Sequence, residues 1–148
     1  MSFTKSNDYL DGRKPTITCD CSEVAAVRYP LELVAADLDA NDIGAVGILP
    51  AGSVPVALYV DSDDLDTNGT PTIVASVGLL NAAGTDLEVV WGSGLTVCQA
   101  GGQVAVVSKE LARTAAAAGD RKVGIKFTAG AATKAAGEVG LTLLYRAA

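Results

Sequence analysis

Histidine is absent from the 148 residues of this sequence. Histidine is the commonest general base in enzymes and the commonest metal ligand in proteins. Its absence excludes Ser-His-Asp and Cys-His catalytic arrangements, and the glycine-rich nucleotide-binding patterns are missing as well. The sequence therefore predicts a protein that is not an enzyme and that holds no cofactor.

Cysteine is scarce, with only Cys19, Cys21 and Cys98 in the chain. An odd number and a spacing of two do not suit a disulfide framework, so we expect reduced thiols in a chain that folds in a cytoplasm. Cys19 and Cys21 have a spacing at which two thiolates can bind zinc, but no second pair follows. Two small apolar residues on one face of a strand are the favoured interpretation.

Aromatic residues and positive charge are also limited. Aromatics make up 5% of the chain and hydrophobic residues 49%, so the core is expected to be aliphatic. The formal net charge of −6 argues against nucleic-acid binding, because basic patches supply most of that affinity. The uncharged stretch at residues 43–60 contains glycines and prolines throughout, which favours two buried strands over a membrane helix. The polar first residues lack a signal sequence, so no membrane contact is predicted.

Short stretches of alternating apolar residues, separated by Gly, Pro, Asn and Asp, fill most of the chain. This pattern predicts an all-β fold, an antiparallel β-sandwich or barrel-like domain. Each stretch gives a set of side chains expected to face inward: Ile17, Cys19 and Cys21; Leu31, Leu33 and Ala35; Val54, Val56, Leu58 and Val60; Ile73, Ala75, Val77 and Leu79; Leu87, Val89 and Trp91; Val123, Ile125 and Phe127; and Val139, Leu141, Leu143 and Tyr145. The stretches at residues 95–99 and 103–107 are also predicted to be strands.

The two ends of the pattern set the domain organisation. Residues 1–14 are polar without apolar periodicity, which predicts a flexible, extended N-terminal arm before a single β domain at residues 15–148. Residues 108–120 are the one helical candidate, with Ser108 as a cap and Gly119 as a stop, although a loop suits them equally. At most one short helix is expected.

Residues 60–72 concentrate aspartates in a way that suggests a calcium site. The segment from Asp64 to Gly69 matches the start of an EF-hand loop, but Ala75 stands where the bidentate glutamate belongs, and no helices flank it. No metal site is therefore predicted, and the favoured interpretation is a turn whose Asx side chains bond their own backbone. A looser calcium site remains open, with four candidate ligands: Asp61, Asp63, Asp64 and Asp66. The length of the loop also suits an exposed interaction element.

Aromatic residues supply the remaining candidates for contact with other proteins. Trp91 alternates with core positions and is interpreted as a core residue. Tyr59 lies opposite the inward face of its strand, and aromatics are enriched at protein interfaces. Together with Phe3 and Tyr9 in the arm, Tyr59 is a candidate interaction residue.

Several segments between Ile43 and Ala148 resemble a known protein family. The pieces "LPAG", "DSDDLDTNGTP", "LLNAAGT" and "GLTLLYRA" are similar to small virion structural proteins of tailed bacteriophages, of the head decoration or cement type. The resemblance covers most of the chain, but these pieces are not catalytic motifs.

The resemblance implies a non-enzymatic protein on the capsid surface of a virion. Its expected partners are the major capsid protein and further copies of itself, as a homotrimer in preference to a homodimer. The expected function is to bind the capsid lattice and stabilise the head, with the N-terminal arm adding a strand to a neighbouring sheet. Two alternatives stay open: another virion part, in the tail, neck or fibre and possibly binding a host glycan, or a calcium- or ligand-binding module.

Overall fold

Eight antiparallel strands form two sheets that pack face to face in the computed structural model, which describes residues 3–20 and 23–148. The front sheet has the strand order β1-β8-β3-β6, and the back sheet has the order β2-β7-β4-β5. The strands are β1 Val24–Leu33, β2 Ile43–Leu49, β3 Ser53–Ser62, β4 Val74–Leu80, β5 Leu87–Leu95, β6 Gly102–Val106, β7 Arg121–Ala129 and β8 Gly137–Ala147. The predicted antiparallel β-sandwich is confirmed.

The core lies between the sheets and is built by the predicted alternation. The inward residues of β7 and β8 are all at most 1% exposed, as are Ile73, Ala75 and Val77 around β4. Trp91 on β5 is 1% exposed, and its indole Nε1 donates a hydrogen bond to Thr114 Oγ1 at 2.9 Å. The core role predicted for Trp91 is therefore confirmed.

The helical candidate forms one turn of helix, α1, at Lys109–Ala112. The predicted cap is correct, because Ser108 Oγ accepts a hydrogen bond from the Leu111 N–H at 3.1 Å. The helix ends well before Gly119, since only Leu111 is buried and an isolated turn gains little without packing. Within the described residues, no helix has the length and hydropathy needed to cross a bilayer.

Two predicted strands are wrong in the described part of the chain. Residues 16–20 form no strand, and the side chain of Ile17 is 56% exposed although an inward position was predicted. Strand β8 is already paired on both sides, so this segment reaches it only through local contacts: the Tyr145 hydroxyl donates to the Ile17 carbonyl. Cys19 is half-buried there, and Cys21 lies outside the described residues. The stretch at 95–99 ends in a 3₁₀ turn, Val97–Gln99.

Three further inward predictions fail for local reasons. In β3, Pro55 pairs with Tyr145 and Ala57 with Leu144, so the residue between them is bulged and Val56 turns outward, 45% exposed. Proline has no N–H for a regular ladder, which makes this position suitable for a bulge. Val54, before the bulge, is half-buried in the outward row of Arg146. Ala35 is exposed because the chain leaves β1 at Leu33 and enters a 3₁₀ turn, Ala35–Asp37.

The N-terminal segment packs against the side of the sandwich where β1 and β2 meet. The Phe3 N–H donates to the Ile43 carbonyl at 3.1 Å, and the Phe3 ring is buried over Gly44, where a Cβ would lie 2.1 Å from the ring. Asn7 Nδ2 donates to the carbonyls of Pro30 on β1 and Val46 on β2, at 2.9 and 2.6 Å. The segment thus joins the edges of both sheets. The flexibility expected for residues 1–14 stays a prediction.

We expect Phe3→Ala to lower the free energy of unfolding by about 3 kcal/mol, because it leaves a cavity beside Phe127 in the core. Urea denaturation measures the change. The matched control is Val107→Ala at a position 91% exposed, where the change should stay within about 0.5 kcal/mol. Equal stability of both variants would show that the segment does not hold this position in solution.

Candidate interaction site

Two of the connections that carry the chain from one sheet to the other lie side by side. The acidic loop, residues 63–73, leads from β3 in the front sheet to β4 in the back sheet, and residues 130–136 lead from β7 back to β8. The Thr67 N–H donates to the Thr133 carbonyl at 3.0 Å, and the Ala135 N–H donates to the Leu65 carbonyl at 3.1 Å. The acidic loop is therefore part of a paired crossing and not an isolated hairpin tip.

Asp66 holds this pair of crossings together. Its carboxylate accepts four backbone hydrogen bonds: from Thr72 at 2.7 Å and Ile73 at 3.2 Å in its own loop, and from Ala132 at 2.9 Å and Thr133 at 2.8 Å in the other crossing. Burial alone would raise the pKa of Asp66, but these N–H donors outweigh it and hold the pKa well below its ordinary value. The group stays charged and serves as a structural acceptor.

The other three candidate calcium ligands, Asp61 at the end of β3 and Asp63 and Asp64 in the acidic loop, have separate partners. Asp61 forms a two-point ion pair with Arg28, at 2.5 and 3.2 Å, and the same guanidinium contacts Glu138 at 2.6 Å. Asp63 accepts the Glu138 N–H at 2.8 Å, and Asp64 accepts the N–H of Asp66 at 3.1 Å. The hydrogen bonds from Arg28 to Asp61 and then to Glu138 raise the pKa of the guanidinium.

Over residues 3–20 and 23–148, no three acidic or cysteine side chains come together in a way that suits a metal ion. The four candidate aspartates are directed to different partners. Asp64 bonds only the backbone of its own turn, as the turn interpretation predicted, whereas Asp61 and Asp63 bond residues distant in the chain. Calcium binding by this loop stays a prediction, which calorimetry with calcium tests.

The two cysteines in the described residues are free thiols. Cys98 is buried in the core, and burial raises the pKa of its thiol more than a hydrogen bond with Ser62 lowers it. A thiol with a raised pKa is a poor nucleophile, so Cys98 acts as a small core residue.

The three candidate interaction residues occupy different environments. Phe3 is buried in the chain's own core. Tyr9 packs edge-on against Tyr29 with ring centroids 4.8 Å apart, and Lys14 Nζ lies 5.6 Å from its ring centroid. Tyr59 is 37% exposed on the outward surface of the front sheet. A contact of any of them with another protein stays a prediction.

The outward surface of the front sheet carries small and apolar side chains in neighbouring rows. The strand register places Leu144 between Ala26 and Ala57, and in the next row it places Thr142 beside Tyr59, which pairs with Ala105. We call this surface the apolar face and define it as Ala26, Val56, Ala57, Tyr59, Ala105, Val107 and Leu144. Sequence analysis missed it, although "VPVALYV" and "QVAVV" carry apolar residues in both alternating positions, a signal for a strand that is apolar on both sides.

The outward surface of the back sheet has a different character. Lys122, Lys126 and Thr128 of β7 lie on it with Glu88 of β5, and Lys126 Nζ pairs with Asp86 at 2.9 Å. Such polar outward residues are usual for an antiparallel sheet with one face in water. The apolar face is thus specific to one of the two sheets.

Chains of bacteriophage capsids are similar to this chain in structure. A chain in the capsid of Ralstonia phage GP4 is 35% identical, with a TM-score of 0.85, over 95% of this chain and 96% of that chain. A chain in the cyanophage Pam1 capsid asymmetric unit is 24% identical, with a TM-score of 0.65, over 92% and 96% of the two chains. A chain in the acidic stable capsid structure of Helicobacter pylori bacteriophage KHP30 is 14% identical, with a TM-score of 0.51, over 83% and 90%. The last two show the fold alone.

No protein-family model matches the chain, and no curated protein sequence matches it.

We expect Asp66→Asn to destabilise the fold by about 2–3 kcal/mol at neutral pH, because the amide loses the charge and turns an N–H₂ group toward backbone donors. The matched control is Asp64→Asn in the same loop, an exposed carboxylate that accepts a hydrogen bond from the Asp66 N–H, where the loss should stay below about 1 kcal/mol. Urea denaturation compares them. Equal losses would contradict the special role of Asp66.

The difference in unfolding free energy between the parent chain and Asp66→Asn should depend on pH. Because folding depresses the pKa of Asp66 below its ordinary value of 3.8, its stabilising contribution is complete above that pH and is lost as the pH falls below it. The difference in unfolding free energy should therefore be constant from pH 7 to 5 and shrink from pH 4 to 2. A difference that stays the same at pH 2 would rule out this linkage.

Proposed function

Because this chain belongs to a family of bacteriophage capsid chains, we propose that it is a decoration (cement) protein that binds the major capsid protein lattice and stabilises the head. The observation that carries the proposal is the 35% identity to a chain of the Ralstonia phage GP4 capsid over nearly the whole length of both chains. The chain is accordingly a structural protein of the phage virion. Its sequence resemblance to head decoration proteins supports the finer assignment.

The architecture supports the role of a rigid domain attached to the capsid lattice. Two neighbouring crossings between the sheets are tied together through Asp66, and the N-terminal segment joins the sheet edges at β1 and β2 through Asn7. A sandwich held at two sides can carry load between neighbouring capsid subunits without its sheets sliding apart. Repeated on a symmetric lattice, individually weak contacts add up to strong attachment.

Self-association into a homotrimer is the second part of the proposal. Closed rings of identical chains match the rotational symmetry of a shell, and every copy then offers the same surface to the lattice. The N-terminal segment is proposed to contact a neighbouring subunit. Residues 4–6 and 11–14 stay exposed when Phe3 and Asn7 are docked, so they are free for such a contact.

Purified chain should bind to phage heads that lack it. We expect a saturating ratio of bound chain to major capsid protein, measured on sedimented heads, and a higher temperature of head disruption, measured by dye access to packaged DNA. Unmodified heads serve as the control. Failure to sediment with heads at any concentration would overturn the proposed function.

Deletion of residues 1–14 should abolish attachment to the same heads, provided that the truncated chain still melts cooperatively. The Phe3→Ala variant separates the two causes, because it weakens the core while leaving the exposed residues 4–6 and 11–14 in the chain. Undiminished binding of the folded, truncated chain would remove the segment from the interface.

A further inference from the structure

We propose that the apolar face of the front sheet docks onto the capsid shell protein, at a surface where an apolar ridge is bordered by lysine or arginine side chains. This inference rests on the proposed function and assigns the surface through which it acts. Tyr59 was already a candidate interaction residue; the structure adds the neighbours that make a continuous surface around it.

The apolar face is open and shaped for contact. Val107 is 91% exposed, Val56 is 45% exposed and Tyr59 is 37% exposed, all on one side of the sandwich. They surround a shallow depression of about 190 Å³ that Ala105 and Ala112 also line. A protruding aliphatic side chain of a partner fits such a depression, and contiguous exposed apolar patches on small domains mark interaction sites.

One border of this face is acidic. Glu138, Asp61 and Glu32 lie at the end of the sheet beyond Tyr59, with Arg28 among them. Arg13 and Lys14 of the N-terminal segment reach the same border, where they form ion pairs with Asp8 and Asp11. Five carboxylates and three cations therefore leave a net charge of −2 at this border. Arg28 is bonded to both Asp61 and Glu138, so its charge is already balanced by neighbouring carboxylates. Basic side chains on the partner are therefore the complement.

A second copy of the chain fits this face poorly. The register places Arg146 and Glu138 at opposite ends of β8, four residues on either side of Thr142. A twofold axis across the strands at Thr142 would pair Arg146 with Glu138, but it would also set the Leu144 row against the row that contains Asp61. Apolar side chains would then meet charged ones.

Two further twofold arrangements are also unfavourable. An axis across the strands at Leu144 matches apolar rows, but it sets Arg146 of one copy against Thr142 of the other, which is the strand neighbour of Arg28. An axis along β8 sets Glu138 against its own equivalent. Of the outward lysines of the back sheet, Lys126 is already paired with Asp86. The charge pattern therefore favours a chain of different sequence.

The test uses full-length variants and heads assembled from the shell protein of the same virus. Tyr59→Asp and Val107→Asp place a charge within the apolar face, and each should weaken binding at least tenfold. The matched control is Val90→Asp, at a position 42% exposed on the outward surface of the back sheet, which should bind like the parent chain. Tyr59→Phe, which keeps the apolar ring, should also bind normally.

A second pair of variants tests the charge of the border independently of packing. Glu32→Lys on the front sheet should weaken binding severalfold and reduce its salt dependence, while Glu88→Lys on the back sheet should leave both unchanged. Both positions are exposed, so neither variant depends on repacking of the core. Melting curves confirm that the aspartate variants are folded before binding is compared.

The outcomes of these binding experiments distinguish the assigned docking surface from the proposed function. Binding by the parent chain and by Val90→Asp, with loss in Tyr59→Asp, Val107→Asp and Glu32→Lys, supports the assignment. Equal binding by all folded variants overturns the assignment while the proposed function stands. A lower mass of Tyr59→Asp or Val107→Asp in solution, by light scattering, shows that the face joins copies of this chain and also overturns it. A parent chain that does not bind overturns the proposed function itself.

Discussion

The buried carboxylate of Asp66 is the constraint on which the arrangement of the two sheets depends. A sandwich needs its chain to pass from sheet to sheet, and each passage leaves backbone N–H groups without strand partners. Four of these groups, two from each crossing, converge on one side chain. One aspartate thereby provides hydrogen-bond acceptors for two irregular segments and holds them at a fixed distance from each other. The positions of the strands that these segments connect, β3 with β4 and β7 with β8, depend on that distance.

Much of the architecture could be predicted from alternation. In β7 and β8, the residues expected inward are buried without exception, because both strands lie inside their sheets and are paired on both sides. Alternation fails where the backbone departs from a regular strand. Val56 turns outward at the bulge beside Pro55, and Ile17 belongs to a segment that approaches β8 without joining it. The spacing of apolar residues in the sequence does not reveal a bulge of one residue, which reverses the side of the sheet that the following residues face.

The candidate site was less predictable, for a reason of distance along the chain. The aspartate-rich loop was visible in the sequence, but the partners of Asp66 in residues 132 and 133 lie more than sixty positions away. A contact between such distant positions cannot be predicted from local sequence spacing. The aspartate-rich loop therefore suggested a calcium ion as the partner of Asp66, whereas the structure shows peptide N–H groups in that role. The apolar face, in contrast, left a local trace, since β3 and β6 are apolar in both alternating positions. From the sequence, this pattern was interpreted only as a sign of buried strands, and not as a sign of an exposed apolar surface.

The polar outward surface of the back sheet determines which residues external reagents would reach once the chain is bound to the capsid. With the front sheet turned toward the shell, the back sheet would form the side open to antibodies and to chemical labels. Lys122 is exposed there, while Lys126 is held by Asp86. An amine-reactive reagent applied to intact particles would thus modify the first of these amines more readily than the second, and the order of labelling would report which side of the sandwich points outward.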